Sequence, residues 1–330
     1  MKIDIYPHIL PPKYLAAFEK KAPSGFQRRD AINQAICDLD IRFRVTDKYD
    51  DYMEVLNIGS PALEEVVDTN DAKELAMIAN DEMAELITKH PDRFIGAIAC
   101  LPMNDVDAAL KEVDRAIRDL RFRGVQIYSD ISGFPLDHPK FMPLFEKMSQ
   151  YNLPIWIHPR RDNKKPDYPT EDRPKYLLST IFGWPYETSL AMARLVFSGV
   201  LEKYPTLKII IHHCGGMVPF FEQRIARIVD IGEILSKEVY PTMMPKHPIE
   251  YFRMFYGDTA LLGSTPGLMC GYAFFGADHL LFGTDFPYGI QLGHVKIREA
   301  IRSVEEMDIP DTDKKKIFED NARRLLRLPL

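Results

Sequence analysis

Residues Lys208–Gly216 read KIIIHHCGG. Three isoleucines run straight into His212, His213 and Cys214 and then into two glycines. That is the profile of a strand buried on both faces, with its polar residues gathered at the C-terminal end. In barrel and doubly wound α/β folds the carboxyl ends of the strands hold the chemistry. The same profile recurs in Ile3–Ile9 (IDIYPHI), Pro154–Arg160 (PIWIHPR), Phe252–Ala260 (FRMFYGDTA) and Leu280–Pro287 (LLFGTDFP). A lone histidine at a strand end is more often a satisfied core residue than a ligand. Five apolar runs that each deliver a His or Asp at or near the exit argue instead for one shared site.

Outward from these runs, buried strands alternate with amphipathic helical patterns along the whole chain. Tyr52–Ser60, Phe94–Pro102 and Gly124–Ser129 supply three more strands, and helical patterns separate them; Asn70 and Asn104 are predicted N-caps, and Pro91 stops the helix that follows Asn70. Eight strand–helix units predict a (β/α)₈ TIM barrel. Residues 1–330 are read as a single domain, since barrels commonly exceed the usual domain length. Two stretches interrupt the alternation. Residues 22–51 are irregular and charged, with Arg28, Arg29, Arg42 and Arg44, and residues 161–185 are rich in Pro, Asp and Lys before ending in Phe182-Gly183-Trp184-Pro185. Loops of this length on a compact fold usually cover a site, so both are expected near the C-terminal mouth, the second as a lid-like loop.

Composition bounds the partners. Of the 330 residues 46% are hydrophobic and 27% charged, and the net charge is −6, so there is no basic footprint for nucleic acid or an anionic membrane. A small-molecule protein is the expectation. Cys37, Cys100, Cys214 and Cys270 are scattered without a CxxC pair, which fits reduced thiols in the cytoplasm better than a disulfide framework or a zinc knuckle. The N-terminus opens on an apolar strand rather than a targeting segment, and no apolar run approaches the ~18 residues of a membrane span.

A divalent metal at a barrel mouth needs lone-pair donors from different strands, and imidazole plus carboxylate is the usual set. His8, His158 and Asp285 have that distribution. Each also has a structural reading, a paired core histidine or an aspartate capping a turn. Strand alternation sends the adjacent side chains of His212 and His213 to opposite faces, so only one is expected to face the barrel interior. Arg160 and Arg161 beyond the WIH run, and Trp184 in the long loop, are candidates for orienting and stacking a substrate ring, or else ordinary loop surface.

Taken together, IDxxxH near the N-terminus, WIHP, LVFSGVLEKYPTLKIIIHHCGG followed by PFFEQR, LLFGTDFPY and a closing NARRLL resemble the amidohydrolase superfamily. The resemblance is strongest to its branch of metal-dependent decarboxylases, which act on aminocarboxymuconate semialdehyde, γ-resorcylate and 5-carboxyvanillate. It covers nearly the whole chain. It implies a divalent metal, zinc with manganese as the alternative, held by His8, His158 and Asp285, with His213 as the proton-transferring residue beside Asp285. His212 falls on a position that is usually apolar or small in relatives. Arg224 matches an arginine that reaches the substrate carboxylate of a neighbouring subunit, which implies a homodimer or higher homo-oligomer; Arg42 is a looser match to another carboxylate-binding arginine.

One departure stands out. The branch has His-x-His, or Glu first, on its first strand, and this chain has Tyr6-Pro7-His8. A phenol with an ordinary pKa near ~10 is a poor ligand unless the metal lowers that value. Tyr6 is therefore open between weak ligand, hydrogen-bond donor to substrate and plain core. The implied activity is non-oxidative decarboxylation of an aromatic or unsaturated carboxylic acid. The alternatives are a metal-dependent hydrolase or hydratase on the same site and a metal-free binding barrel.

Overall fold

The computed structural model describes residues 1–24, 33–161, 166–235 and 244–328; Arg28, Arg29 and residues 162–165 of the predicted lid loop lie outside them. The apolar, β-branched runs form short strands: β1 (Lys2–Asp4), β2 (His8–Ile9), β3 (Tyr52–Ile58), β4 (Phe94–Ala97) and β5 (Val125–Tyr128). A small antiparallel hairpin of β6 (Asp130–Ile131) and β7 (Phe134–Pro135) follows, then β8 (Ile155–His158), β9 (Ile209–Ile211), β10 (Tyr256–Asp258) and β11 (Leu280–Leu281). β1 and β2 both pair in parallel with β3, and β3 pairs with β4. A second parallel run joins β5, β8, β9, β10 and β11 in that order. The bridge between Ala99 and Val125 links the two runs on one side. On the other, Ile5 N donates to Phe282 O at 3.0 Å and Asp285 N to Tyr6 O at 3.1 Å. The ring is closed, with β1 and β2 sharing its first position, and the predicted (β/α)₈ barrel is the observed fold.

Parity along the strands sorts the interior. Ile3, Ile5, Val55, Ile98, Trp156, Ile210 and Leu281 form one buried cluster inside the barrel, and Leu325, Leu326 and Leu328 from the C-terminal segment pack into it. Trp156 ties that layer together by donating from Nε1 to Ile5 O at 3.1 Å. Two residues further along the strands, the same inward parity places Asn57, His158, His212 and Asp258, all buried. An apolar floor thus carries a polar layer at the strands' carboxyl ends. The larger cluster, between the barrel wall and its helices, includes Leu75, Val113, Phe145, Leu195 and Ile297.

Several expectations change. The helix caps are Asp68, before Thr69–Lys89, and Asp105, before Val106–Arg118, in place of Asn70 and Asn104. The strand read over Phe252–Ala260 starts later, because Pro248–Phe252 is helical: Pro248 occupies its first turn and His247 Nδ1 accepts from Ile249 N at 3.3 Å. Arg42, the looser match to an arginine that binds a substrate carboxylate, is committed inside the protein instead. It lies on the helix Leu39–Thr46 with no exposed surface, and its Nε and Nη2 donate to the two Glu54 carboxylate oxygens at 2.9 Å each. Its Nη1 donates to His8 O at 2.8 Å, so this buried pair pins β2 against β3 from beneath the mouth.

Removing one partner of a buried ion pair leaves an uncompensated charge, which typically costs ~3–5 kcal/mol. Glu54→Gln is therefore expected to lower unfolding stability by about that amount. Urea denaturation of the variant beside wild type checks this, and a loss within experimental error of zero contradicts the pinning role.

Candidate active site

Four donors from four barrel positions converge above the apolar floor. His8 comes from β2, His158 ends β8, His212 follows β9 and Asp285 follows β11. Ligand atoms of His8, His158 and His212 all lie within 4.8 Å of one another, as do those of His212, His213 and Asp285. Asp285 Oδ1 stands 3.5 Å from His8 Nε2 and 3.6 Å from His212 Nε2. His158 Nδ1 lies 2.8 Å from Pro159 O; a carbonyl only accepts, so that nitrogen carries the proton and Nε2 keeps a free lone pair toward the cluster. Both ring nitrogens of His8 and Nε2 of His212 are buried without a hydrogen-bond partner. Buried polar atoms are almost always satisfied, so this set of orphaned ring nitrogens beside a carboxylate fits a divalent cation.

His212 and His213 do not point to opposite faces. Trp156 pairs with Ile210 in the β8–β9 register, which extends His158 and His212 to the same inward level. The strand ends at Ile211, and at His213 the backbone enters the left-handed region (φ +53°), followed by Cys214 (φ +52°). That turn folds the His213 ring back beside His212, with centroids 3.8 Å apart, and 6.2 Å from the Trp184 ring. Alternation applies only while the chain is a strand, and here it stops one residue early. Gly216 is needed to complete the turn: its φ is +61°, and a Cβ there would lie 2.5 Å from Pro185 O.

The electrostatics follow from burial and neighbours. Burial lowers the affinity of His8 for a proton and holds His158 well below the ordinary histidine range, with the neighbouring imidazoles adding to the effect on His158. His213 is likewise depressed by burial and then by His212. His212 goes the other way, to about 9: burial lowers it, but the Asp258 carboxylate on Nδ1 and the proximity of Asp285 outweigh that. Burial alone would raise Asp285, yet the Lys296 ammonium paired with Oδ2, together with His212 and His8, holds it well below the usual carboxylate range. Asp285 also sits at φ +61°, a strained position for a non-glycine residue and common at functional sites.

The remaining sequence candidates are placed as follows. Trp184, at the end of the 161–185 loop, reaches the cluster, its ring centroid 6.0 Å from that of His158. Tyr6 is fully buried and stacks on His212 at 3.7 Å and 11°, its hydroxyl unpartnered. Arg160 is ion-paired with Glu65 and Asp130, and Arg161 with Glu187 at 3.2 Å and Asp167 at 3.6 Å, so a substrate carboxylate has to compete for either. Arg224 is exposed on the helix Glu222–Leu235, away from the cluster. Two functional neighbours had no assigned role in the sequence reading. Asp258 was visible as the exit residue of FYGDTA; Lys296, on the helix His294–Glu305, is one of 42 Lys and Arg and carries no local signal.

A family model described as amidohydrolase matches residues 3–328. The chain belongs to the amidohydrolase family. This amidohydrolase is 29% identical to the 2-amino-3-carboxymuconate-6-semialdehyde decarboxylase of Dictyostelium discoideum, over 99% of its own length and 92% of that protein's. It is 32% identical to the γ-resorcylate decarboxylase of Polaromonas sp. (strain JS666), over 88% and 87% of the two chains. The crystal structure of a dihydroxybenzoic acid decarboxylase from Polaromonas sp. JS666, with bound manganese and the inhibitor 2-nitroresorcinol, superposes with a TM-score of 0.78 at 28% identity, covering 99% of this chain and 96% of that one. Among the described residues no helix is long and apolar enough to cross a membrane.

Beside the cluster, Glu64 lies with Cys100, Gln126 and Tyr128 around a small enclosed cavity, and Tyr128 touches the site, its ring centroid 5.3 Å from that of His158. Burial pushes the Glu64 carboxyl up from 4.5 to about 7. A raised carboxyl pKa means that the folded state keeps a proton the unfolded chain has released. Its cost is absent below pH 4.5, grows as pH rises, and is complete above about pH 7. Glu64→Gln removes that cost, so its stability relative to wild type is expected to rise by up to about 3 kcal/mol across this window. Unfolding midpoints of both proteins at several pH values test this, and parallel pH profiles would contradict it.

Proposed function

We propose that this amidohydrolase is a metal-dependent, non-oxidative decarboxylase of an aromatic or unsaturated carboxylic acid. The observation that carries the reading is the cluster at the strands' carboxyl ends, where ligand atoms of His8, His158 and His212 lie within 4.8 Å of one another and Asp285 Oδ1 stands 3.5 Å from His8 Nε2. Relatives named as decarboxylases along almost the whole chain support it. Imidazole and carboxylate donors suit zinc, with manganese the alternative. A divalent ion held there supplies Lewis-acid polarisation of the substrate's oxygens.

This chain's own residues do the rest. His8 and His158 offer lone pairs fixed by burial, and Lys296 keeps Asp285 ionised and oriented. The Trp184 face next to His158 and His213 provides a surface on which a planar ring can stack. Tyr6 offers an unpartnered hydroxyl, and Arg160 and Arg161 flank the exit of β8 as orienting charges. His213 lies against the cluster with Nδ1 unpartnered, and we assign it the proton transfer to the substrate carbon. That carbon gains a proton as its bond to the carboxylate breaks, the bonding pair stays on the carbon, and carbon dioxide leaves. No oxidant or reductant is consumed.

Two copies of the chain complete this reading. Arg224, Ile228 and Ile231 fall at helical spacing along the helix Glu222–Leu235, Ile228 52% exposed, and Phe220, 78% exposed, stands in the turn just before it. An exposed apolar stripe around a basic residue suits an isologous contact, through which Arg224 can reach the partner's substrate. The acid substrate, cytoplasmic location and single-domain organisation belong to the same proposal.

Two outcomes are expected. Metal-loaded protein releases carbon dioxide from a panel of hydroxylated benzoic acids, and His213→Asn loses ~10²- to 10⁴-fold in turnover while retaining metal. Water addition without carbon dioxide, or full turnover in the variant, contradicts the assignment. Arg224→Ala is expected to keep its dimeric mass by light scattering but raise KM at least about tenfold, as loss of a charged hydrogen bond does. A monomer with wild-type kinetics overturns the dimer reading.

A further inference from the structure

We infer that His212 Nε2 is the fourth protein ligand of the divalent ion, and that Tyr6 braces His212 instead of ligating. The inference rests on the divalent-ion reading above and adds a residue to it. Three features of the ring carry it, beginning with orientation. His212 Nδ1 donates to Asp258 Oδ2, and Asp258 is itself fixed by Cys214 N at 3.2 Å and Ala260 N at 3.0 Å on its other oxygen. With Nδ1 committed, the remaining lone-pair position, Nε2, is aimed at the face where His8, His158 and Asp285 meet. A carboxylate behind a histidine is the arrangement that orients metal-ligating imidazoles and raises their basicity.

Position is the second feature. Nε2 of His212 is buried and has no hydrogen-bond partner, yet it stands 3.6 Å from the same Asp285 oxygen that His8 Nε2 approaches at 3.5 Å. His212 is thus the one residue shared by the two groups of ligand atoms, that with His8 and His158 and that with His213 and Asp285. If His212 served only to pair with Asp258, the β8–β9 register would have no reason to bring its second nitrogen into this group.

Tyr6 supplies the third. Its ring lies flat on His212, 3.7 Å away at 11°, so it contacts the imidazole through its face and fixes the plane of that ring. The weak donor on β1's extension is thereby compensated from β9: the ligand that Tyr6 does not provide comes from the next residue to enter the layer.

Metal affinity and cobalt spectroscopy test this without reference to turnover. Apo-protein from wild type, His212→Gln, His212→Cys, Asp258→Asn and Tyr6→Phe is titrated with Co²⁺, with circular dichroism confirming the fold. His212→Gln is expected to lose at least about 100-fold in affinity and Asp258→Asn about 10- to 100-fold. Tyr6→Phe should stay within about threefold of wild type, since a bracing ring survives the loss of its hydroxyl. His212→Cys should gain a thiolate-to-cobalt charge-transfer band, which arises only if position 212 ligates and which keeps the test open should His212→Gln fold poorly. If His212→Gln binds cobalt with wild-type affinity and spectrum while His8→Ala loses it, the inference is wrong and the three-ligand reading survives. Wild-type protein that takes up no cobalt overturns both.

Discussion

The parallel register between β8 and β9 is the constraint on which the site depends. Pairing Trp156 with Ile210 puts the next inward residues, His158 and His212, at one height above the apolar floor. A slip of β9 by one residue would exchange His212 for one of its neighbours, Ile211 or His213, in that layer and turn His212 away from His8 and Asp285. The register is held from within by Trp156, wedged into the barrel and hydrogen-bonded to Ile5 O, so the packing of the floor and the geometry of the polar layer are one problem. Closure through Tyr6 O and Asp285 N then brings the last donor beside the first.

Burying so many polar groups is costly, and the fold offsets the cost by pairing each with a fixed counterpart. Asp258 faces His212, Lys296 faces Asp285, and Arg42 faces Glu54 while also holding the His8 carbonyl. At the common centre these pairs leave the His8 nitrogens and His212 Nε2 unpartnered. In a protein interior that pattern marks a place reserved for a ligand, because an orphaned donor or acceptor elsewhere would cost ~1–3 kcal/mol with no return. The strained backbone at His213, Cys214 and Asp285 clusters around the same centre.

The mouth itself is built from segments that are far apart in sequence. Trp184 closes one side, Tyr128 and the Glu64 wall another, and Arg160 and Arg161 are restrained by Glu65, Asp130, Asp167 and Glu187, acids from separate segments. In the proposed decarboxylase, the recognition of an aromatic acid would come from these loops, and its chemistry from the strand ends below them. That division is usual for barrels, where the scaffold positions the reactive groups and the loops choose what reaches them.

The strand–helix alternation and the candidate donors His8, His158 and Asp285 were legible in the sequence, because buried parallel strands leave continuous apolar runs and polar residues at their exits stand out against them. The family motifs were legible for the same reason. The facing of His212 was not: Ile209, Ile210 and Ile211 are all apolar, so the run carries no alternation from which parity can be read. Parity was set by the neighbouring strand through Trp156 and Ile210, and the fold of His213 onto His212 by a left-handed turn that a strand pattern does not encode. The pairing of Arg42 was hidden because its partner Glu54 lies on another element, and Lys296 was one cation among many until the barrel closed and set it on Asp285. Sequence alone determined which residues could do chemistry, since side-chain type and strand period are local properties. Which of them share a centre was decided by inter-strand register and barrel closure, which depend on hydrogen bonds and packing between residues hundreds of positions apart.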